Sequence, residues 1–319
     1  MSQQSKQSTP GQRTGVTPLA HDRPMSGHRV TLDDIALAAG TSIATVSRAL
    51  GGSPRVAAPT RERIEKVAEE LGYRANIAAS LLASARPQIL GLVCSLSQEL
   101  HVRYRAEALR YAEDRGFRVI VESIDTSRDV DRAWESVLQL RAQAVIAVDS
   151  TCVSTRFTNT PTVLIGQHAP RRDIDLVTSS NERGMGQAIA LLAQRGRRRI
   201  AFLEGPPGPS ARARKAAFAQ ACRTHEVDAL VCYNDQCAHG AILALLGDGL
   251  VPGRDILVVG CDNSAIASSR ALSLTSIDRA PSRVASLAVD QAIARALGDS
   301  GSPARQRVDT ELVVRASTG

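Results

Sequence analysis

The stretch RVTLDDIALAAGTSIATVSRAL, Arg29–Leu50, decides how the rest of the chain is read. Leu32, Ile35 and Ala36 fall at helical spacing and give a first short helix one buried face. Ala39-Gly40-Thr41 then stops it, because glycine tolerates the left-handed backbone that ends a helix. Thr41 and Ser42 offer oxygens to cap a second helix, Ile43–Leu50, which turns Val46 and Leu50 inward. Two helices about a tight turn make a helix-turn-helix, and the second helix of such a motif is the usual reader of the DNA major groove. The pattern alone also fits any small helical hairpin.

Downstream, GGSPRVAAP is a turn dense in glycine and proline. Thr60 is placed to cap a third helix, with Glu62 near the positive end of its dipole. Ile64, Val67, Ala68 and Leu71 supply a stripe that closes a three-helix core, and Gly72 ends the helix. Upstream, residues 1–28 are rich in Gln, Ser, Thr, Pro and Gly and bury too little to order, so a disordered tail is expected. Lys6, Arg13 and Arg23 leave open a weak DNA-contacting arm. The segment YRANIAASLLASARPQ has few side chains able to anchor a core and reads as a linker that orders conditionally.

From Ile89 onward the texture changes. ILGLVC, RVIVES, AVIAV, TVLIG, RIAFLE, DALVCY, ILVVG and LTSI are apolar runs of strand length. Amphipathic segments such as 102–115, 128–141, 183–195, 211–225 and 238–246 lie between most of them. This alternation implies open parallel sheets covered by helices on both faces, with ligands beyond the carboxyl ends of the strands.

The chain has 319 residues, 43% hydrophobic and 22% charged, which suits two or three folding units of an ordinary globular protein. A net charge of +7 suits an acidic partner such as nucleic acid, but many enzymes are equally basic. The N-terminus has no secretory core, and no apolar run approaches the roughly 20 residues of a membrane span, so a cytoplasmic protein with no membrane partner is expected. Six scattered cysteines without Cys-x-x-Cys spacing point to reduced buried thiols, and six histidines show no metal spacing. EGPPGPS lacks the Gly-Lys-Ser/Thr ending of a phosphate loop, and no Gly-x-Ser-x-Gly elbow occurs. No catalytic residues, no metal and no cofactor are therefore assigned, and an enzyme is not expected.

Arg29 to Val93 closely resembles the DNA-binding and hinge region of the LacI/GalR family of bacterial transcription regulators, through TLDDIALAAGTSIATVSRAL, TRERIEKVAEELGYRAN and LLASARPQILGLV. The remainder resembles that family's periplasmic-binding-protein-like core, through RRRIAFLEGPPGPSARARKAAF, YNDQCAHGAI, VVGCDN, LTSI and ELVVRASTG. The resemblance implies a helix-turn-helix domain at 29–74, a hinge at 75–87 and a core at 88–319. Within the core it implies one subdomain near 88–167 plus 280–298 and a second near 168–278 plus 305–316. It further implies a repressor that binds a pseudo-palindromic operator as a homodimer, modulated by a sugar-like or metabolite effector.

Carried onto this sequence, the resemblance sets Ile43 and Ala44 against base edges. Neither can form a bidentate hydrogen bond, so thymine methyls or DNA shape would be read there. Arg48 is placed to engage guanine, and Ser42, Thr45, Ser47, Thr31 and the amide of Leu32 to engage phosphates. Asn76 would open the hinge helix, Ala79 would lie on it, and Leu82 would wedge the minor groove. Packing in the domain core is the competing role for Ile43, and packing of the linker against the core that for Leu82. Ser210, Arg214, Asn234, Asp235 and Asp262 are the implied effector contacts, against plain capping for the two aspartates.

Three departures stand out. Gly166 offers no side chain where sugar-binding members commonly carry a carboxylate. The helix before PTVLIG is cut short. The helix ending near His225 runs almost directly into VDALVCY, so a strand-plus-helix unit of the second subdomain is missing. In a 2-1-3-4-5 sheet the lost strand is the edge, and 1-3-4-5 stays continuous. A DNA binder that senses no small molecule, and a solute-binding protein of the same core fold, are the alternatives.

Overall fold

The computed structural model describes residues 30–51, 53, 55–73, 87–221 and 227–319. These fall into two units, 1–83 and 84–319. The expected tail, and the hinge with Asn76, Ala79 and Leu82, lie outside the described residues.

The first unit holds α1 (Leu32–Ala38), α2 (Ile43–Leu50) and α3 (Ala58–Glu70). Its core is Ile35, Ala36, Ala39, Val46, Ala49, Val56, Ile64 and Ala68, with Leu32, Leu50 and Val67 packed at its margin. The third helix begins differently from the sequence expectation. Its N-cap is Ala57, with no side-chain cap, Pro59 stands in the first turn, and no acidic residue lies there. Thr60 is thus inside the helix: the fixed φ of proline pre-forms the first turn and removes the need for a hydroxyl cap. Arg61 secures the preceding turn instead, donating from Nη2 to the Ser53 carbonyl at 2.6 Å.

The second unit is built on two sheets. The first has strand order β10-β5-β4-β3-β1-β2, with β1 (Ile89–Cys94), β2 (Arg118–Ser123), β3 (Ala144–Val148), β4 (Thr162–Ile165), β5 (Asp175–Ser179) and β10 (Arg305–Val308). All five of its pairings are parallel. One face packs on α4 (Glu99–Asp114) and α10 (Pro281–Ala296), through Leu100, Tyr104, Ala108, Val284 and Ala288. The other packs on α5 (Val130–Gln139), whose Trp134 is fully buried and donates to the Cys152 carbonyl at 2.8 Å. That carbonyl ends the short 3-10 turn Ser150–Cys152, all that stands for a helix before β4.

The second sheet has order β11-β9-β8-β7-β6. It is formed by β6 (Ile200–Leu203), β7 (Ala229–Cys232), β8 (Leu257–Cys261), β9 (Thr275–Asp278) and the antiparallel β11 (Glu311–Val313). α6 (Glu182–Gln194) and α7 (Pro209–Ala221) cover one face; α8 (Asp235–Gly247) and α9 (Ala265–Ser268) cover the other. Among the described residues a single helix lies between β6 and β7, whereas β2 and α5 intervene between the corresponding strands β1 and β3 of the first sheet. β6 is therefore an edge strand, as the missing unit requires, and Leu203 and Val227 are left exposed beside it.

The subdomain borders need correction. Residues 168–179 belong to the first sheet through β5, and β10 pairs with β5 rather than with the second sheet. β11 and the residues after it carry the C-terminal segment to the second sheet, with Ser317 bonded to Val258 and Thr275. The reason is local: DLVTS alternates buried and half-buried positions, and RQRV is largely polar, as suits strands at the margin of a sheet.

Candidate functional site

On the first unit the helix-turn-helix is held by local bonds. Thr31 Oγ1 and the Thr31 amide both donate to Asp34 Oδ2 at 2.8 Å, while the Asp34 amide reaches back to Thr31 Oγ1. This capping box satisfies donors that a helix start leaves open. Gly40, at φ +60°, turns the chain, and the Thr41 amide closes α1 on the Ala36 carbonyl at 3.0 Å. Ser42 Oγ accepts from the Thr45 amide at 3.2 Å and caps α2. With Val46 and Ala49 buried, the opposite face of α2 presents Ile43, Ala44, Ser47 and Arg48 to solvent.

Ile43 is 47% exposed, so it does not pack into the core. Arg48 lies along its own helix, Nε donating to the Ala44 carbonyl at 2.9 Å. Thr31 and Ser42 are exposed, and Leu32 and Thr45 are half-buried. The structure thus gathers Ser42, Ile43, Ala44, Thr45, Ser47 and Arg48 on and beside one helix start. Thr31 and Leu32 stand at the start of the other.

On the second unit the carboxyl ends of the two sheets face each other across a cleft. Arg103 of α4 donates from Nη1 to the carbonyls of Asp262 (2.6 Å) and Asn263 (3.0 Å). The Ala265 amide donates to Glu99 at 2.9 Å, and Ser210 Oγ to Asp149 Oδ2 at 3.2 Å. Asp149, Asp262, Asn263 and Ala280 all take positive φ at this cleft. Such conformations persist where surrounding bonds enforce them, as they do in ligand clamps.

A cavity of about 410 Å³ opens here, lined by Ser95, Gln98, His101, Asp125, Asp149 and Ser210 among others. A smaller recess adjoins it and contains Arg214 and Arg279. Of the expected effector residues, Ser210 and Arg214 line these two spaces. Arg214 donates from Nη1 to the Tyr233 carbonyl, pairs with Asp262 at 3.4 Å, and lies over the Tyr233 ring at 4.4 Å. Burial works against its charge, but Cys261, Asp262, Tyr233 and Tyr104 outweigh burial and raise its pKa.

Asn234, Asp235 and Asp262 line a separate cavity of about 310 Å³ with Glu99 and Ser264. Their bonds are structural: Asn234 Oδ1 accepts from the Cys237 amide at 2.8 Å and caps α8. Asp235 accepts from the Ser264 amide at 2.7 Å and from Ser276 Oγ at 2.5 Å. Burial pushes its carboxyl up to about 6.

Asp149, His101, Tyr233 and Arg279 were not singled out from the sequence as cleft residues. Each except His101 directly follows an apolar strand, or follows its last residue by one, and that rule would have found them. His101 sits two residues into α4 and carries no sequence signal. Burial holds its pKa below the ordinary value, so it is neutral. The thiols of Cys152 and Cys232 are pushed up to about 12 by burial, and that of Cys261 to about 11. Among the described residues no cluster of His, Cys, Asp and Glu could hold a metal ion, and no helix is long and apolar enough to cross a membrane.

Residues 31–76 match the family of bacterial regulatory proteins of the lacI type, and residues 227–318 match the periplasmic binding protein-like domain. The helix-turn-helix is thus of the lacI type, and the C-terminal part of the core is of the periplasmic-binding-protein-like type. Among similar proteins, the lactose operon repressor of Escherichia coli (strain K12) is 28% identical over 330 residues, covering 91% of either chain. The transcriptional regulator AscG of the same organism is 28% identical over 290 residues, covering 77% of this chain and 86% of its own. The crystal structure of the Lac repressor dimer bound to operator and the anti-inducer ONPF superimposes with a TM-score of 0.75 at 26% identity. It covers 91% of this chain and 99% of that one. The two-sheet core and the helix-turn-helix thus share the architecture of the Lac repressor, and the relatives matched are regulators rather than enzymes.

Proposed function

We propose that this protein is a sequence-specific repressor of transcription that binds a pseudo-palindromic operator as a homodimer in the cytoplasm and responds to a small effector held in the cleft. The observation that carries the DNA-binding half is the exposure of Ile43 at the start of a capped helix whose buried side is fully occupied by Val46 and Ala49. A large aliphatic side chain left in water there gains by meeting thymine methyls in a major groove. Ala44 beside it lets the helix approach closely. Arg48 swings off the Ala44 carbonyl to reach a guanine edge, and Thr31, the Leu32 amide, Ser42, Thr45 and Ser47 fix the helix on phosphates. Asn76, Ala79 and Leu82 extend this contact through the hinge.

For the effector half, the support is the cleft itself. Every strand whose end lines it survives the loss of the edge unit, and polar side chains from both sheets converge on a space large enough for a sugar-sized ligand. The resolved Lac repressor carries operator and a small ligand together, which favours the same division of labour here. The helix-turn-helix weighs against a solute-binding protein. Fluorescence anisotropy on a selected duplex tests the assignment. Arg48→Ala is expected to lower affinity by about 1–3 kcal/mol and to relax preference at one position in each half-site. Unchanged affinity and preference would contradict it.

A further inference from the structure

The recess beside the main cavity is unusual in its polar accounting. It holds about 30 Å³ and is lined by His101, Ser179, Arg214 and Arg279, with Gln98 and Asp149 on the border it shares with the larger space. His101 is 8% exposed, Arg214 5% and Arg279 3%. Two of their buried donors, Arg214 Nε and Arg279 Nε, have no hydrogen-bond partner among the described residues. Buried donors are ordinarily satisfied, and two orphaned guanidinium donors in one recess mark a place built for an acceptor.

The charges sharpen the assignment. Arg214 has a carboxylate partner in Asp262 at 3.4 Å. Arg279 donates only to neutral groups, the Asn181 side-chain oxygen and the Ser179 carbonyl, and pairs with no carboxylate among the described residues. The same Asp262 also feels the Arg279 charge, so two buried guanidiniums share one carboxylate, and an incoming anion would relieve the cost of the excess positive charge. Asp149 does not fill the role: its oxygens take the hydroxyl of Ser210 and the amide and hydroxyl of Thr151.

Resting on the reading of this cleft as the effector site, we infer that the effector is a polyhydroxy carboxylic acid, with its carboxylate in the Arg214–Arg279 recess and its hydroxyls in the larger cavity. The recess has the room of one or two water molecules, which suits a small anionic group and not a whole sugar ring. A guanidinium fork matches a carboxylate in geometry as well as charge. Asp125, Asp149, Ser95 and Ser210 in the larger space suit hydroxyl groups.

Thermal unfolding of the full chain tests this. D-gluconate, D-glucuronate and D-galacturonate are compared with D-glucose, D-galactose and D-glucose 6-phosphate at equal concentration and ionic strength. At least one acid is expected to raise Tm by roughly 5 °C near 100-fold excess over its Kd, and its neutral parent is not. Arg279→Gln should keep or raise the unliganded Tm and weaken the acid by about 10–100-fold. Arg279→Lys keeps the charge and loses the fork, so a loss of about tenfold is expected from it, and it carries the test should the glutamine variant not fold. If a neutral sugar or the phosphate raises Tm and no acid does, or if the acid binds the Arg279 variants as well as wild type, the inference falls and the sensing role stands. If no probe moves Tm, both fall, and DNA binding remains separately testable.

Discussion

Replacing Asp235 with asparagine separates a latch from a ligand contact. The carboxyl is 1% exposed and joins three elements: it starts α8 and accepts from Ser264 before α9 and from Ser276 in β9. Burial raises its pKa from 3.8 to about 6. The sign follows directly. Between these values the folded chain holds a proton that the unfolded chain releases, so this group's contribution to stability is largest below pH 4 and is lost as pH rises through 6. The full loss is about 3 kcal/mol, of which roughly 1–2 kcal/mol falls between pH 5 and pH 7.5. Asparagine cannot ionise and still offers an oxygen to the Ser264 amide and an N–H to Ser276 Oγ. The stability of Asp235→Asn relative to wild type should therefore improve by that amount from pH 5 to pH 7.5, or roughly 3–6 °C in Tm. Trp134 is the one tryptophan in the chain and is fully buried, so its fluorescence during urea or thermal unfolding reports on this unit alone. A variant-minus-wild-type difference that does not change with pH would refute the argument.

Three further substitutions test other parts of the account. Arg295 donates Nε and Nη2 to the buried Asp175 at 2.8 and 2.9 Å and also binds the carbonyls of Asp299 and Gly301. Arg295→Ala should thus cost about 3–5 kcal/mol in urea unfolding, with much of it recovered by adding Asp175→Asn. A Cβ on Gly205 would stand 2.2 Å from the Tyr233 ring beneath Arg214, so Gly205→Ala should destabilise by about 1–3 kcal/mol and weaken any cleft ligand, as calorimetric titration would show. Ser42→Ala removes the cap of α2 and should lower helicity of the first unit by circular dichroism, at a cost of about 1 kcal/mol.

The helix-turn-helix was legible because its determinants are local: the Thr31 and Ser42 caps, Gly40 at positive φ, and Ile35 and Val46 at helical spacing. The central strands were legible because β1, β3 and β4 are buried on both faces and read as unbroken apolar runs. β5 and β10 were hidden, since Asp175, Arg305 and Arg307 interrupt any such run. That is why the border between subdomains was misplaced. In the cleft, the resemblance implied Ser210 and Arg214, and both line its spaces, but sequence positions alone say nothing of side-chain partners. They could not show that Asp235 faces Ser264 and Ser276, or that Arg279 and Arg214 share the charge of Asp262. Those facts depend on the pairing of two sheets that sequence spacing does not encode.

The central claim is that α2 reads DNA through an apolar start and a single arginine, twice, in a symmetric dimer. Selection of bound duplexes from a random pool by the full chain tests it most directly. The account predicts enrichment of two inverted half-sites, with thymine favoured where Ile43 and Ala44 dock and guanine where Arg48 reaches, and affinity that falls steeply with salt. Recovery of no motif, or of a motif without twofold symmetry, would contradict it.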